Sequence, residues 1–449
     1  MMNEEIEYKL QKLKEKTYNT LDNIDLYKYK GVVSKLLGLT VEVKLPGLKI
    51  GDLCYIQTYT GERKAAEVQA FKGDVAQLLL LYDGEGIGQG SLVETTGAPI
   101  LLPVGDFLLG RLINPLGEPL DNKPLNVEGA KYMNINGTIP DPFSRPIITE
   151  QISTGVRVID GLLTMGTGQR MGLFAGSGVG KSTLLGMIAR NSDADVNVVA
   201  LIGERGREVK EFIVDSLKEE GMKKSVVVCA TGDLPPLIRM KCLLAATTVC
   251  EYFRDQGKKV FLMTDTVTRC AMAGREVGLS LGEPPTMKGY PPSIFSWLQR
   301  ALERTGNSDK GSITALYTVL MEGDDITDPI VDIVRGIVDG HIFLSRKMAE
   351  QNHYPAIDAL GSISRLMTTI SDPEHIEAAG KMRNLLALYR DNRDLIDVGM
   401  YQPGSNPKLD VAIELMPKIN AFLQQKTSDI VSMKTTLDTL KSLMKNVNI

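Results

Sequence analysis

The feature that most constrains this chain is one run of eight residues, Ala175-Gly176-Ser177-Gly178-Val179-Gly180-Lys181-Ser182, set between the apolar run RMGLF and the helix-forming run TLLGMIAR. Closely spaced glycines let a backbone turn sharply enough for its N–H groups to wrap phosphate oxygens, and the following helix offers more N–H groups at its positive end. Lys181 is placed to reach β and γ phosphates, Ser182 to offer its hydroxyl to Mg²⁺, and Thr183 to continue the contact into the helix. The strict pattern has glycine where Ala175 stands, a departure that the entry of the loop tolerates. A strand must precede such a loop and a helix must follow it, so at least one unit of a parallel α/β sheet is fixed.

The surrounding sequence extends that unit. Between residues 151 and 380, the apolar runs RMGLFA, VNVVALIG, SVVVCA, KVFLMTD, SITALYTVL and GHIFLS alternate with helical stretches. Unbroken apolar runs mark strands buried on both faces, which predicts a parallel sheet covered by helices. Residues 25–99 differ: short alternating runs such as VEVKL and DLCYIQTY, punctuated by Gly, Pro and Asp, predict a small all-β module. Residues 100–150 are rich in proline and glycine and read as an ordered connector. Over 381–449, helical periodicity predicts a helical domain that ends in the amphipathic IVSMKTTLDTLKSLMK. Over 1–24, Ile6, Leu10, Leu13 and Leu21 make one apolar stripe among Glu and Lys, a helix that packs either on its own domain or on a partner.

Composition removes several function classes. A net charge of −4 supplies no basic field for phosphate backbones, so no nucleic-acid partner is expected. No apolar run approaches the roughly 18 residues of a membrane helix, and the charged start lacks the apolar region of a secretory signal. A cytoplasmic protein, at most peripheral to a membrane, is expected. Cys54, Cys229, Cys242, Cys250 and Cys270 have no paired spacing, and His341, His353 and His375 are the only histidines. Zinc sites and histidine triads are therefore improbable, which leaves carboxylates, lysine, arginine and backbone to do the chemistry.

Two carboxylates stand where that chemistry needs them. KVFLMTD ends in Asp265, and an acid at the C-terminal edge of a parallel sheet, following a phosphate loop, is the favoured partner of the nucleotide's Mg²⁺. VVALIGERGREV presents Glu204 after another apolar run; on spacing alone it is either the group that orients the attacking water or a solvated glutamate beside Arg205 and Arg207.

The segments TGVRVIDGLLTMGTGQRMGLFAGSGVGKSTLL, GERGREV, DTVTRCAMAGREVGLSLGEPPTMKGYPPSIF, EGDDITDPIVDIVRGIVDGHIFLSR, HYPAIDALGSISR and VGMYQPGSNPKLD span nearly the whole chain. Together they resemble the catalytic subunits of the rotary ATP synthase superfamily, and most of all the flagellar and type III secretion export ATPases. The resemblance implies a multidomain chain with an N-terminal β-barrel, a central RecA-like α/β ATPase core over 151–380 and a C-terminal α-helical domain. It implies ATP hydrolysis with Mg²⁺, with Glu204 as catalytic carboxylate, Ser182 and Asp265 at the metal, and Arg269 on the phosphate side. Arg365, in GSISR, matches the finger that enters a neighbouring subunit's site, and Tyr354, in YPAID, the ring that stacks on adenine. The finger also has a physical rationale, because an always-charged planar guanidinium stabilises charge spread over phosphoryl oxygens. Supplying finger and carboxylate from different edges of one subunit favours a ring, and the resemblance implies a homohexamer.

DIVRGIVDGHIFLSR looks more like the flagellar than the injectisome ATPases, so flagellar protein export is the expected setting. Export gate, chaperones, export substrates and a stator-like regulator at the N-terminal helix are the implied partners, at the inner face of the cell membrane. A noncatalytic rotary subunit would lack Glu204. A ring helicase for RNA would need basic and aromatic residues in its N-terminal domain, where few are paired. The C-terminal domain carries no acidic cluster like that of the ATP synthase β subunit, so proton-driven rotation is not expected.

Overall fold

The structure, a computed structural model, describes residues 30–325 and 327–447 together with Lys14. The helix expected over residues 1–24 lies outside the described residues, Lys14 apart. The chain divides into two compact units, Met1–Pro99 and Ile100–Ile449.

In the first unit, β1 (Lys30–Leu37), β2 (Thr40–Lys44), β3 (Asp52–Gln57), β4 (Arg63–Lys72), β5 (Val75–Leu80) and β6 (Leu92–Pro99) close into an antiparallel barrel in the order β1-β2-β5-β4-β3-β6. Side chains alternate across a strand, so Val33, Val43, Ile56, Val68, Leu78 and Val93 fill the interior. Closure leaves no edge strand for unwanted pairing.

The second unit is built on a sheet whose strands are β7 (Leu112–Ile113), β8 (Arg170–Ala175), β9 (Val196–Glu204), β10 (Ser225–Thr231), β11 (Lys259–Asp265), β12 (Ser312–Leu320), β13 (Gly340–Leu344) and β14 (Ile363–Ser364). They lie in the order β14-β13-β8-β12-β11-β9-β10-β7, with Gly306–Asn307 added beside β12. Every pair along that path is parallel except β13 with β14.

Both faces of the sheet are covered, as the unbroken apolar runs require. On one face Leu173, Leu201 and Met263 pack in a core with Leu184 and Ile188 of α1 (Lys181–Asn191). On the other lie the helix Pro236–Arg254 and, following the short α2 (Gly206–Glu211), α3 (Val267–Ser280). All five cysteines are buried free thiols. The first core extends into α4 (Pro373–Asp391), α5 (Pro407–Leu423) and α6 (Met433–Met444) through Met382, Ile419, Phe422 and Leu440.

Two boundaries differ from the sequence reading. Residues 100–150, read as a connector, place β7 in the main sheet beside β10 and pair Leu101–Val104 with Lys131–Asn134. Buried Arg304 ties this region down, donating to the Ile135 carbonyl at 2.8 Å while paired with Glu251. The helical region opens at Pro373 instead of 381, because the Asp372 carboxylate accepts from the His375 N–H at 2.9 Å and proline suits a first helical turn.

Candidate active site

Strands β8, β9 and β11 deliver their last residues to the same C-terminal edge of the sheet. Beyond β8, Gly178 and Gly180 take φ of 76° and 90°, a left-handed conformation that glycine adopts without strain. The loop thereby turns back onto the start of α1, with Gly180 as its N-cap. Lys181, the first residue of α1, directs its ammonium group onto Asp265 at the end of β11, and the hydroxyl of Ser182 lies 3.5 Å from the second carboxylate oxygen. Asp265 is buried, so the lysine compensates a charge that would otherwise be costly in that place.

Glu204, at the end of β9, is also buried and is ion-paired with Arg269 of α3. The guanidinium is fixed by a second bond, donated to the Gly203 carbonyl at 3.0 Å. Gly203 has φ of 68°, and a Cβ there would come within 3.1 Å of the Arg269 side chain, so the arginine lies directly over this turn. Burial, a hydrogen bond with Glu208 and the charge of Asp265 push the Glu204 carboxyl up to about 7, against the pull of Arg269. Glu208 of α2 moves the other way because its carboxylate accepts that hydrogen bond. Ser182, Glu204, Glu208 and Asp265 face a common cavity of about 280 Å³, room for several waters.

A larger cavity of about 970 Å³ opens on the other side of the loop, lined by Gly180, Thr183, Leu184, Leu344 and Tyr354 among others. The Tyr354 ring is half exposed, with a ring carbon 3.5 Å from where a Cβ on Gly180 would stand. The floor comes from the C-terminal helical region. Gln425 donates its backbone N–H to the Tyr354 carbonyl at 2.9 Å and its side-chain amide to the Gly155 carbonyl at 2.8 Å, while accepting from the Arg157 N–H at 2.9 Å. The Arg157 guanidinium in turn donates to the carbonyls of Phe422 and Gln424.

Arg365 is not brought to these groups. Its N–H donates to the Asp339 carbonyl at 3.1 Å, and the Asp339 N–H donates to the carbonyl of Arg170, the first residue of β8. It therefore sits at the N-terminal end of the sheet, whereas the phosphate loop leaves the other end of β8, roughly 16 Å away along the strand. The side chain is exposed and has no hydrogen-bond or ion-pair partner among the described residues.

Sequence reasoning missed Glu208, Arg157 and Gln425. Glu208 carried a faint signal, four residues beyond Glu204 in GERGREV. The bond between Arg157 and Gln425 joins residues 268 apart and carries no local signal.

The model of the ATP synthase alpha/beta family, nucleotide-binding domain, matches residues 155–364, and that of the T3SS EscN ATPase C-terminal domain matches residues 371–442. The flagellum-specific ATP synthase of Bacillus subtilis (strain 168) is 48% identical over 96% of this chain and 99% of its own length. The type 3 secretion system ATPase of Xanthomonas euvesicatoria is 46% identical over 92% of this chain and 93% of its own. Among solved structures, the assembled ATPase EscN from the enteropathogenic E. coli type III secretion system superposes with a TM-score of 0.86 at 45% identity, covering 92% of this chain and 99% of that one. With its phosphate-loop lysine paired to Asp265 and both carboxylates, Glu204 and Asp265, buried, the chain is a P-loop ATPase and belongs to the ATP synthase alpha/beta family, in the branch of the flagellum-specific and type 3 secretion ATPases.

Proposed function

We propose that this chain hydrolyses ATP in a homohexameric ring of the flagellar type III export system, at sites that two neighbouring copies share. The observation that carries the shared site is the placement of Arg365, exposed and without a side-chain partner among the described residues, at the end of the sheet opposite its own phosphate loop. An arginine finger serves phosphoryl transfer only if its guanidinium reaches the γ-phosphate; here a second copy has to bring it.

The N–H groups of residues 175–183 bind the phosphates, and Lys181 exchanges Asp265 for the β and γ oxygens. Ser182 and Asp265 bring two hard oxygen donors together and would be the residues that hold Mg²⁺. When bound, that ion offsets the charge that develops on the β and γ oxygens. Glu204, held by Arg269, orients a water in the smaller cavity and receives its proton as oxygen attacks the γ-phosphorus and the bond to the bridging oxygen breaks. Tyr354 stacks on the base.

The remaining readings rest on likeness. One solved relative is EscN in complex with its central stalk EscO, which supports a stalk-like partner for this chain as well; a stator-like regulator at the N-terminal helix, an export gate, chaperones and export substrates are the further partners of this reading. Among the described residues no helix is long and apolar enough to cross a membrane, which is compatible with a cytoplasmic enzyme bound at the membrane's inner face.

The test mixes two inactive variants. Arg365→Ala keeps a sound phosphate loop and Lys181→Ala a sound finger, so mixtures regain Mg²⁺-dependent ATP hydrolysis if each site draws on two copies. Mixtures as inactive as their components would overturn the shared site.

A further inference from the structure

The backbone that carries Arg365 has little sheet to hold it. β14 is two residues long and lies at the edge, with Ile363 opposite His341 and Ser364 opposite Gly340 of β13. Gln169, one residue before β8 and fully buried, supplies a hold from outside that strand pair. Its carboxamide oxygen accepts from the Gly166 N–H at 2.8 Å. Its amide nitrogen donates to the Asp339 carbonyl and to the Ser364 hydroxyl oxygen, each at 3.2 Å. That same carbonyl accepts the Arg365 N–H, and the Ser364 hydroxyl donates onward to the Thr164 carbonyl at 2.7 Å. One side-chain amide thus grips both the residue before Arg365 and the acceptor of Arg365's own N–H.

A buried amide is costly unless its polar groups are bonded, and packing alone needs none here, since a thioether chain of the same length would fill the space. The Arg365 guanidinium has no hydrogen-bond or ion-pair partner among the described residues, so its own chain places it only through the backbone it hangs from. A displacement of about 1 Å in a group that serves the reaction can cost about 10²-fold in rate. We infer that Gln169 is a positioning residue for the arginine finger, setting where Arg365 leaves the sheet and acting on the neighbouring copy's site instead of its own. The inference rests on the shared site proposed above. Its competitor is an effect passed along β8 to the phosphate loop of the same copy.

Gln169→Met in the full chain keeps the side-chain length and removes the amide. It should lower kcat by about 10²-fold with ADP affinity at the parent value. Mixed with Lys181→Ala, whose finger is sound, it should regain ATP hydrolysis. Mixed with Arg365→Ala it should not, because neither copy then offers a well-placed finger. The reverse pattern, recovery with both partners or with neither, or a parent kcat in Gln169→Met alone would overturn the inference. Ser364→Ala removes one acceptor of the amide with less disturbance of the core; it should show a smaller loss with the same pattern of recovery, and it decides the matter if Gln169→Met does not fold. The mixture of Lys181→Ala with Arg365→Ala is the control. If it regains activity, a wrong pattern for Gln169 defeats this inference and leaves the shared site standing; if it does not, the shared site falls and this inference with it.

Discussion

The two ends of the central sheet are built on opposite terms. At the C-terminal end, Lys181 is bonded to Asp265 and Arg269 to Glu204, each pair largely withdrawn from water. At the N-terminal end Arg365 is exposed and unpaired among the described residues. A charge buried in its own chain must find its counter-charge there, because unpaired burial is costly. An exposed guanidinium pays nothing while it stays hydrated and can be given up to another molecule. Under the proposed function, the half-site that binds phosphate is thus pre-formed in one chain, while the half that stabilises the transferring phosphoryl group depends on contact.

That contrast is broken most directly at Arg365. Arg365→Ala should lower kcat by about 10³- to 10⁵-fold while nucleotide affinity and melting temperature stay near the parent values, since no side-chain partner among the described residues is lost. Phosphate release, equilibrium nucleotide binding and a thermal melt read the three quantities. A large fall in melting temperature would mean that the residue works inside its own chain.

At the other end, Glu204→Gln should lower kcat by about 10²- to 10⁴-fold with ATP still bound. Single-turnover hydrolysis read against nucleotide binding separates the two effects. Here the melting temperature should move, because Arg269 loses its ionic partner. A variant that hydrolyses ATP at the parent rate would remove Glu204 from the chemistry and return it to a structural ion pair.

What the sequence could and could not disclose divides along the same line. Residues 175–182 were legible because their pattern is local: glycines, lysine and serine at fixed spacing between a strand and a helix. Glu204 and Asp265 were legible as candidates because each ends an unbroken apolar run, and the ends of parallel strands converge on one edge. The place of Arg365 was not, since it depends on the two-residue strand β14 pairing antiparallel with β13, a register that no periodicity in so short a run can reveal. For the same reason β7, also two residues long, hid within a stretch that reads as a connector. Gln425 is a further case, because its three partners, Gly155, Arg157 and Tyr354, come from two distant segments that only the folded chain brings together.

The smallest expected effect sharpens the comparison by asking how the pre-formed half-site is tuned. Glu204 must be ionised to take a proton from water, and its carboxyl is held up at about 7. Turnover should therefore rise about tenfold per pH unit up to neutrality and level off above it. Glu208 supports the acid form by accepting the hydrogen bond that protonated Glu204 donates, while burial and Asp265 act in the same direction. Glu208→Gln removes that anionic acceptor, so the midpoint should move to lower pH and yet stay above the ordinary 4.5 of a glutamate, because burial persists. A midpoint lower by about one pH unit raises the ionised fraction at pH 6 roughly fivefold, so the variant should outperform the parent there relative to pH 8. An unchanged profile would separate Glu208 from the proton on Glu204. A profile displaced to higher pH would mean that Glu208 holds Glu204 ionised, for instance by keeping Arg269 against it.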